Sequence, residues 1–266
     1  MTQHRTQTGL VVRPGETAHL LDLALHMANR ADDIALSSFD SGVRYELKAD
    51  GSPVTRVDRE VEAALRDTIE REHPQAGVIG EEYGEEAGLG RWIIDPIDGT
   101  GLYIDGDPRF ATLLAYALEG QCLVGVVSAP ALGLRWWAGR GLGARFAYRG
   151  FVRTAKTSKT RRLSRSQGML LGGLHSSGPD GTRRMDEVLS APAVSLRTRG
   201  VSWEAVRVAS AEYDFAVTSG HLWDVAPLGV IVEEAGGRAT VDTDDDELFR
   251  VRVSNRYLAG DIATMI

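Results

Sequence analysis

The chain has 266 residues, with 37 Asp and Glu against 30 Lys and Arg, and a formal charge of −7. That length holds one large α/β domain or two packed subdomains, and 43% apolar with 25% charged residues excludes global disorder. The acid excess argues against a nucleic-acid partner, the single cysteine, Cys122, excludes an intrachain disulfide, and no apolar run reaches the roughly 18 residues of a membrane span.

Residues 1–12 are polar and lack the apolar stretch of a signal peptide, so a cytoplasmic location is expected. Residues 16–39 carry Leu20, Leu21, Leu23, Leu25, Met27, Ala28, Ile34 and Ala35 at helical spacing. That predicts one long amphipathic helix, with Thr17 as its N-cap. Residues 45–48 read as extended, ahead of the turn Asp50-Gly51-Ser52-Pro53. A second helix is predicted over 55–73, with Val57, Val61, Ala64, Leu65, Thr68 and Ile69 on one face and Pro74 ending it.

The period then changes. Residues 78–80, 92–95 and 123–127 are short apolar runs bounded by Gly or Pro, the signature of buried strands. Residues 112–118 and 122–128 read as an antiparallel hairpin, 134–138 as a further strand and 139–143 as a turn. Thirty glycines, above the average usage of roughly 7%, sit singly at such turns. The stretch 149–165 holds Arg149, Arg153, Lys156, Lys159, Arg161, Arg162 and Arg165 and no acid. It reads as a solvated connector or an anion-attracting rim, and marks the boundary between subdomains at 1–150 and 151–266. Beyond it, strands at 169–174, 195–198 and 213–218 alternate with helices at 181–189, 202–210 and 224–235, before a closing strand near Ala239. The acidic run 242–247 reads as a solvent loop, because it lacks the glycine turn and distal glutamate of a calcium loop.

Three segments place acids directly after apolar runs: Glu81-Glu82 after 78–80, Asp95 and Asp98 after 92–94, and Asp224 at the head of an apolar helix. No Lys or Arg lies within these segments, and an unpaired carboxylate at a core edge is costly. Capping explains such acids one at a time, but not three segments of one form. A hard divalent cation such as Mg²⁺ would satisfy them together. Asp95 and Asp98 lie three apart across Pro96-Ile97, so a turn of the chain brings both to one locus. Gly99-Thr100 then offers backbone N–H groups to an anion such as phosphate.

Glu81-Glu82, Asp95-Pro-Ile-Asp-Gly-Thr100, Trp223-Asp224-Val-Ala and Glu234-Ala-Gly-Gly237, together with the upstream Lys48-Ala-Asp-Gly-Ser-Pro-Val-Thr55-Arg-Val-Asp58, resemble the inositol monophosphatase family in order and spacing over residues 17–260. The resemblance implies an α/β (α+β) chain with the layered αβαβα fold of that family. It also implies a Mg²⁺-dependent phosphomonoesterase with two or three ions and, by analogy, a homodimer. Glu81, Asp95 and the carbonyl of Ile97 would hold one ion, Asp95, Asp98 and Asp224 a second, and Glu81 with waters a third. Thr100 and Asp58, with Glu81, would position and deprotonate the attacking water, and the N–H groups of Gly99 and Thr100 would hold phosphate oxygens. Most ligands then fall in the first subdomain, with Asp224 supplied by the second.

Gly125-Val-Val-Ser-Ala-Pro-Ala-Leu132 and Arg135-Trp136-Trp137-Ala138 are most similar to the histidinol-phosphate phosphatase branch, which makes histidinol phosphate the leading substrate. Inositol, sugar and nucleoside phosphates are the alternatives. Relatives usually carry Thr, Ser or Lys, then Asn and Phe, after the Gly-Thr pair; here stand Gly101, Leu102 and Tyr103. A catalytically silent phosphate-binding member is therefore a second reading, and an unrelated acidic Mg²⁺ or Ca²⁺ module a third. Ser202, Glu204, Thr218, Ser219 and His221 line up by position as substrate contacts.

Overall fold

Two helices open the body of the chain. The computed structural model describes residues 4–5, 11–12, 14–39, 43–171, 194–197, 201–243 and 248–263. After a short ladder of β1 (His4–Arg5) and β2 (Val11–Val12), helix α1 runs Pro14–Ser37. Leu20, Ala24, Met27, Ala28, Ala31 and Ala35 recur every three or four residues and are buried, which gives the helix one inward stripe. Its start differs from the expected one. Pro14, whose missing N–H is not needed in a first turn, opens the helix, and Thr17 lies inside it, buried against Gly139 rather than capping. The hairpin β3 (Tyr45–Leu47) and β4 (Pro53–Thr55) leads into α2 (Arg56–Glu72). Val57, Val61, Leu65 and Ile69 of α2 share a core with α1.

An eight-stranded sheet comes next, in the order β12-β11-β10-β9-β8-β7-β5-β6. Its strands are β5 (Gly77–Gly80), β6 (Gly84–Glu86), β7 (Arg91–Asp98), β8 (Ala111–Leu118), β9 (Gln121–Ala129), β10 (Leu134–Gly139), β11 (Gly143–Tyr148) and β12 (Phe151–Thr154). Only β5 and β7 pair in parallel. Strands β6, β11 and β12 have no counterpart among the expected elements. β6 and β12 are exposed at every position, and an edge strand without a buried face leaves no apolar pattern to read. Residues 151–154, expected to begin the basic connector, thus extend the sheet.

Helix α3 (Thr100–Ile104) follows β7, and a five-stranded sheet forms later in the order β14-β13-β15-β17-β16. Its strands are β13 (Gly168–Leu171), β14 (Val194–Arg197), β15 (Phe215–Gly220), β16 (Gly237–Thr243) and β17 (Phe249–Asn255). The expected helix at 181–189, the end of the strand at 169–174, residue 198 and most of the acidic run at 242–247 lie outside the described residues. The helix expected at 202–210 is a 3-10 helix, Ser202–Ser210, with the tight bond from Glu204 N–H to Val201 O at 3.1 Å. Beyond the expected closing strand stand β17 and α5 (Ala259–Ala263).

Helix α4 (Leu222–Glu234) buries Val225, Ala226, Leu228, Val230, Ile231 and Val232, too broad a face for one neighbour. It packs on β7 to β11 of the large sheet and on β15 to β17 of the small one. Helices α1 and α2 cover the outer face of the large sheet, and α5 packs on the outer side of β16 and β17. The layers read α-β-α-β-α.

Candidate active site

Strand alternation aims the first acid. On β7, Trp92 and Ile94 face the core under α1 and α2, whereas Ile93 packs against Ala226 of α4. Asp95, two residues after Ile93, therefore faces α4. Asp98 is an odd number of residues further on and would point away in a regular strand. The pairing of β7 with β8 shifts register between Asp95 and Asp98, and this irregularity re-aims the second carboxylate. The two acids converge through a bulge inside a continuous strand, not through the expected turn. Asp224 sits at the third position of α4, where its Oδ2 accepts the N–H of His221 at 2.6 Å. Carboxylate oxygens of Asp95, Asp98 and Asp224 all lie within 4.8 Å of one another.

The environment of this cluster is costly for negative charge. Both oxygens of Asp95 are buried without a hydrogen-bond partner in the described structure. Burial, then the neighbouring carboxylates, pushes the pKa values of Asp95 and Asp98 well above the usual range. Among the described residues Asp98 has one donor, the backbone N–H of Trp203 at 2.8 Å, which brings the 3-10 helix to the site. Largely buried carboxylates with few donors between them and with oxygens converging fit a hard divalent cation.

Beside the cluster lies a chain of hydroxyls. Thr100 Oγ1 lies 2.9 Å from Asp58 Oδ1 and 3.1 Å from the carbonyl of Ile97. Asp58 is the third residue of α2, where its Oδ2 accepts the N–H of Thr55 at 2.9 Å and the hydroxyl of Thr55 at 2.5 Å. Thr55 Oγ1 in turn accepts the N–H of Val57 at 3.0 Å and that of Asp58 at 3.4 Å, the second completing a capping box. Burial raises the Asp58 pKa, and the bonds from Thr55 and Thr100 oppose that. Gly99 has φ +94°, and a Cβ there would meet Val201 Cγ1 at 2.7 Å, so glycine is required between Asp98 and Thr100.

Glu81 is not one of the three converging acids, but its charge acts on Asp95, and it is held by Lys48. Lys48 Nζ donates to Glu81 Oε1 at 2.8 Å and to Glu82 Oε1 at 2.7 Å. Burial drives the Glu81 pKa up to about 7 against the pull of Lys48. One residue that sequence reasoning missed holds this loop. Glu62 of α2 is fully buried; its Oε2 accepts the N–H of Glu82 at 2.7 Å, and its Oε1 accepts from Tyr83 N–H at 3.2 Å and Arg66 Nε at 2.8 Å. The available signal was an acid on the apolar face of a helix, between Val61 and Leu65. Trp203 was missed as well, because a backbone donor leaves no mark in side-chain identity.

The five positional candidates divide. Thr218 and Glu204 are buried, with Thr218 Oγ1 3.4 Å from Ser202 Oγ and Glu204 Oε1 3.3 Å from Arg207 Nη1. His221 is exposed, stacked on Trp223 at 4.9 Å between ring centroids, with Nδ1 3.7 Å from Asp224 Oδ2; that carboxylate raises its pKa. Ser219 is half-buried on β15, in register with Arg250.

A model of the inositol monophosphatase family matches residues 16–262. The chain belongs to the inositol monophosphatase family. It is 39% identical over 225 residues to a histidinol-phosphatase of Mycobacterium tuberculosis, covering 83% of this chain and 86% of that protein. It is 30% identical to human inositol monophosphatase 1, covering 92% and 93% of the two chains. The Thermotoga maritima IMPase structure superposes with a TM-score of 0.77 at 28% identity, covering 93% of this chain and 96% of that one. This inositol monophosphatase family member is a metal-dependent hydrolase of phosphate monoesters, with the layered α/β fold of its relatives. No helix among the described residues is long and apolar enough to cross a membrane.

Proposed function

We propose that the chain hydrolyses histidinol phosphate with Mg²⁺ held by Asp95, Asp98 and Asp224, joined by Glu81 and the carbonyl of Ile97. The observation that carries the metal assignment is the buried, donor-free carboxylate of Asp95 within the three-acid cluster. Bound there, such ions lower the pKa of water towards neutrality and neutralise charge on the phosphoryl oxygens. The protein's own part is positional. Asp58 accepts the Thr100 hydroxyl proton, which leaves Thr100 Oγ1 lone pairs to orient a water as nucleophile. The N–H groups of Gly99 and Thr100 would receive phosphate oxygens.

The substrate assignment rests on the histidinol-phosphatase relatives and on charge. Acids dominate the site and Glu204 is buried near Asp98, so a cationic leaving alcohol suits it better than an anionic one. The stacked His221 and Trp223 offer aromatic surface beside Asp224. Ser202, Thr218 and Ser219 would supply polar contacts, and a homodimer is proposed by family analogy. Phosphate release with Mg²⁺ should be fastest on histidinol phosphate in a panel containing inositol, sugar and nucleoside monophosphates. Preference for another ester would overturn the substrate, and absence of any Mg²⁺-dependent turnover the mechanism.

A further inference from the structure

Residues 149–165 are free of acid in a chain of charge −7, and the reaction above uses none of them. Their second half is not a loose connector. Asn255 Nδ2 donates to Thr160 O at 3.1 Å and to Ser158 Oγ at 2.8 Å. Ser158 in turn bonds the buried Asp214, whose other oxygen accepts the N–H of Gln167 at 2.7 Å. Leu163 packs into the outer core with Leu170, Phe215, Val217, Leu258 and Ile262. The segment is pinned to the small sheet at both ends.

Between the pins, its cations are arrayed on one side. A 3-10 turn at Leu163–Arg165, closed by the Arg165 N–H bonded to Arg162 O at 3.0 Å, folds the chain back so that Arg162 and Arg165 stand at its two ends. Arg161 and Arg256 both stack on the Tyr257 ring, 4.5 and 4.8 Å from its centroid, which fixes their direction. Lys159, Thr160, Arg161, Arg162 and Arg165 line one cavity of about 560 Å³, and among the described residues no carboxylate lines it.

Four like charges around one hollow repel one another, and a matching anion relieves that repulsion. Guanidinium groups bind phosphate oxygens in pairs, and the volume falls in the range of small-ligand sites, about 300–1,000 Å³. A single phosphate leaves the cluster cationic, whereas a chain of two or three phosphates balances it. The geometry points to a binding site for a polyphosphate chain, whether inorganic or part of a nucleoside di- or triphosphate. It lies away from the catalytic acids. Strand β15 runs from Phe215, opposite Ser254, to Gly220, which touches Asp224, so the two regions sit at opposite ends of one strand, about 17 Å apart at 3.3 Å per residue.

The test is calorimetric titration of the full chain, freed of divalent cations by dialysis so that the acid cluster repels anions. Inorganic tripolyphosphate should bind saturably at one site, and more than about tenfold more weakly to the Arg161→Ala/Arg162→Ala/Arg165→Ala variant, a loss of about 1.4 kcal/mol. That variant should keep its Mg²⁺-dependent hydrolysis and melting temperature. ATP in place of tripolyphosphate identifies the source: equal affinity assigns recognition to the phosphate chain alone, and tighter ATP binding adds the nucleoside. The site is overturned by no saturable binding to the wild type, by unchanged affinity in the variant, or by binding of long oligonucleotides alone.

Discussion

The buried carboxylate of Glu62 and the backbone of Glu82 are joined by a 2.7 Å hydrogen bond that ties the acidic loop to helix α2. Glu62 never faces the cluster, yet it sets where Glu81 lies. Glu62→Ala should cost about 3 kcal/mol by taking the buried acceptor of Arg66 Nε and leaving the part-buried N–H groups of Glu82 and Tyr83 without theirs. It should lower kcat and weaken Mg²⁺ binding, while Glu62→Gln restores part of both. The same contact forbids a side chain at Gly80, where a Cβ would lie 2.0 Å from Glu62 Oε1. Gly80→Ala should therefore reproduce the effect, and the double variant should fall well short of additive. Urea midpoints and Mg²⁺ titrations check both.

Thr55 links helix capping to catalysis. Thr55→Ala removes the cap, costing about 1–2 kcal/mol, and takes a donor from Asp58 Oδ2. The freed carboxylate can rotate away from Thr100, so kcat should drop with KM little changed. Thr55→Ser should retain both properties, as read by thermal melts and steady-state kinetics.

Asp95→Asn separates stability from function. At a pH high enough to ionise the raised Asp95 carboxyl, replacing it with an amide removes its repulsion with Asp98 and Asp224. The metal-free variant should melt about 2–4 °C higher for each kcal/mol gained, while hydrolysis falls to background and Mg²⁺ no longer raises the melting temperature. A variant that stays active would remove Asp95 from the metal site.

The pH dependence follows in sign. Glu81, near 7, and Asp95 and Asp98, well above their usual range, hold protons in the folded chain that the unfolded chain releases near pH 4. Stability from these groups is complete below the unfolded values and is lost as pH rises through the folded ones. The metal-free protein should melt progressively lower from about pH 5 to 8. Saturating Mg²⁺ should flatten that slope, as differential scanning calorimetry with and without the ion will show.

At Gly101, where the family resemblance implies Thr, Ser or Lys, a Cβ meets nothing within 4 Å. Gly101→Ser should fold normally, gain a few tenths of a kcal/mol from helix propensity in α3, and keep turnover within about threefold. A large loss of activity would mark the bare backbone at this position as a requirement of the substrate.

The acids of the site were legible because chemistry limits them to few residue types, and because Asp95, Asp98 and Asp224 follow apolar runs whose burial is plain from composition. The helices α1 and α2 carry a clear apolar stripe, and α4 and the strands β7 to β9 are near-continuous apolar runs, legible for the same reason. What escaped reading lacks such a signature. Strands β6 and β12 are exposed, so pairing alone makes them strands. The bulge between Asp95 and Asp98 is a property of register with β8, not of β7 itself. Thr17 has the side chain of a cap, but the helix begins at Pro14, a residue suited to a first turn, which leaves Thr17 inside it and buried. Lys48 meets Glu81 and Glu82 across more than thirty residues, a distance no local pattern spans.

Helix α4 lies between the two sheets and brings Asp224 against acids that belong to the larger one. The acid cluster consequently has no intermediate form. Strand β7 folded alone presents two carboxylates, α4 alone presents one, and the N–H of Trp203 reaches Asp98 only when the 3-10 helix has docked. The cluster is therefore a readout of complete assembly: it exists only where β7, α4 and the 3-10 helix are all in place.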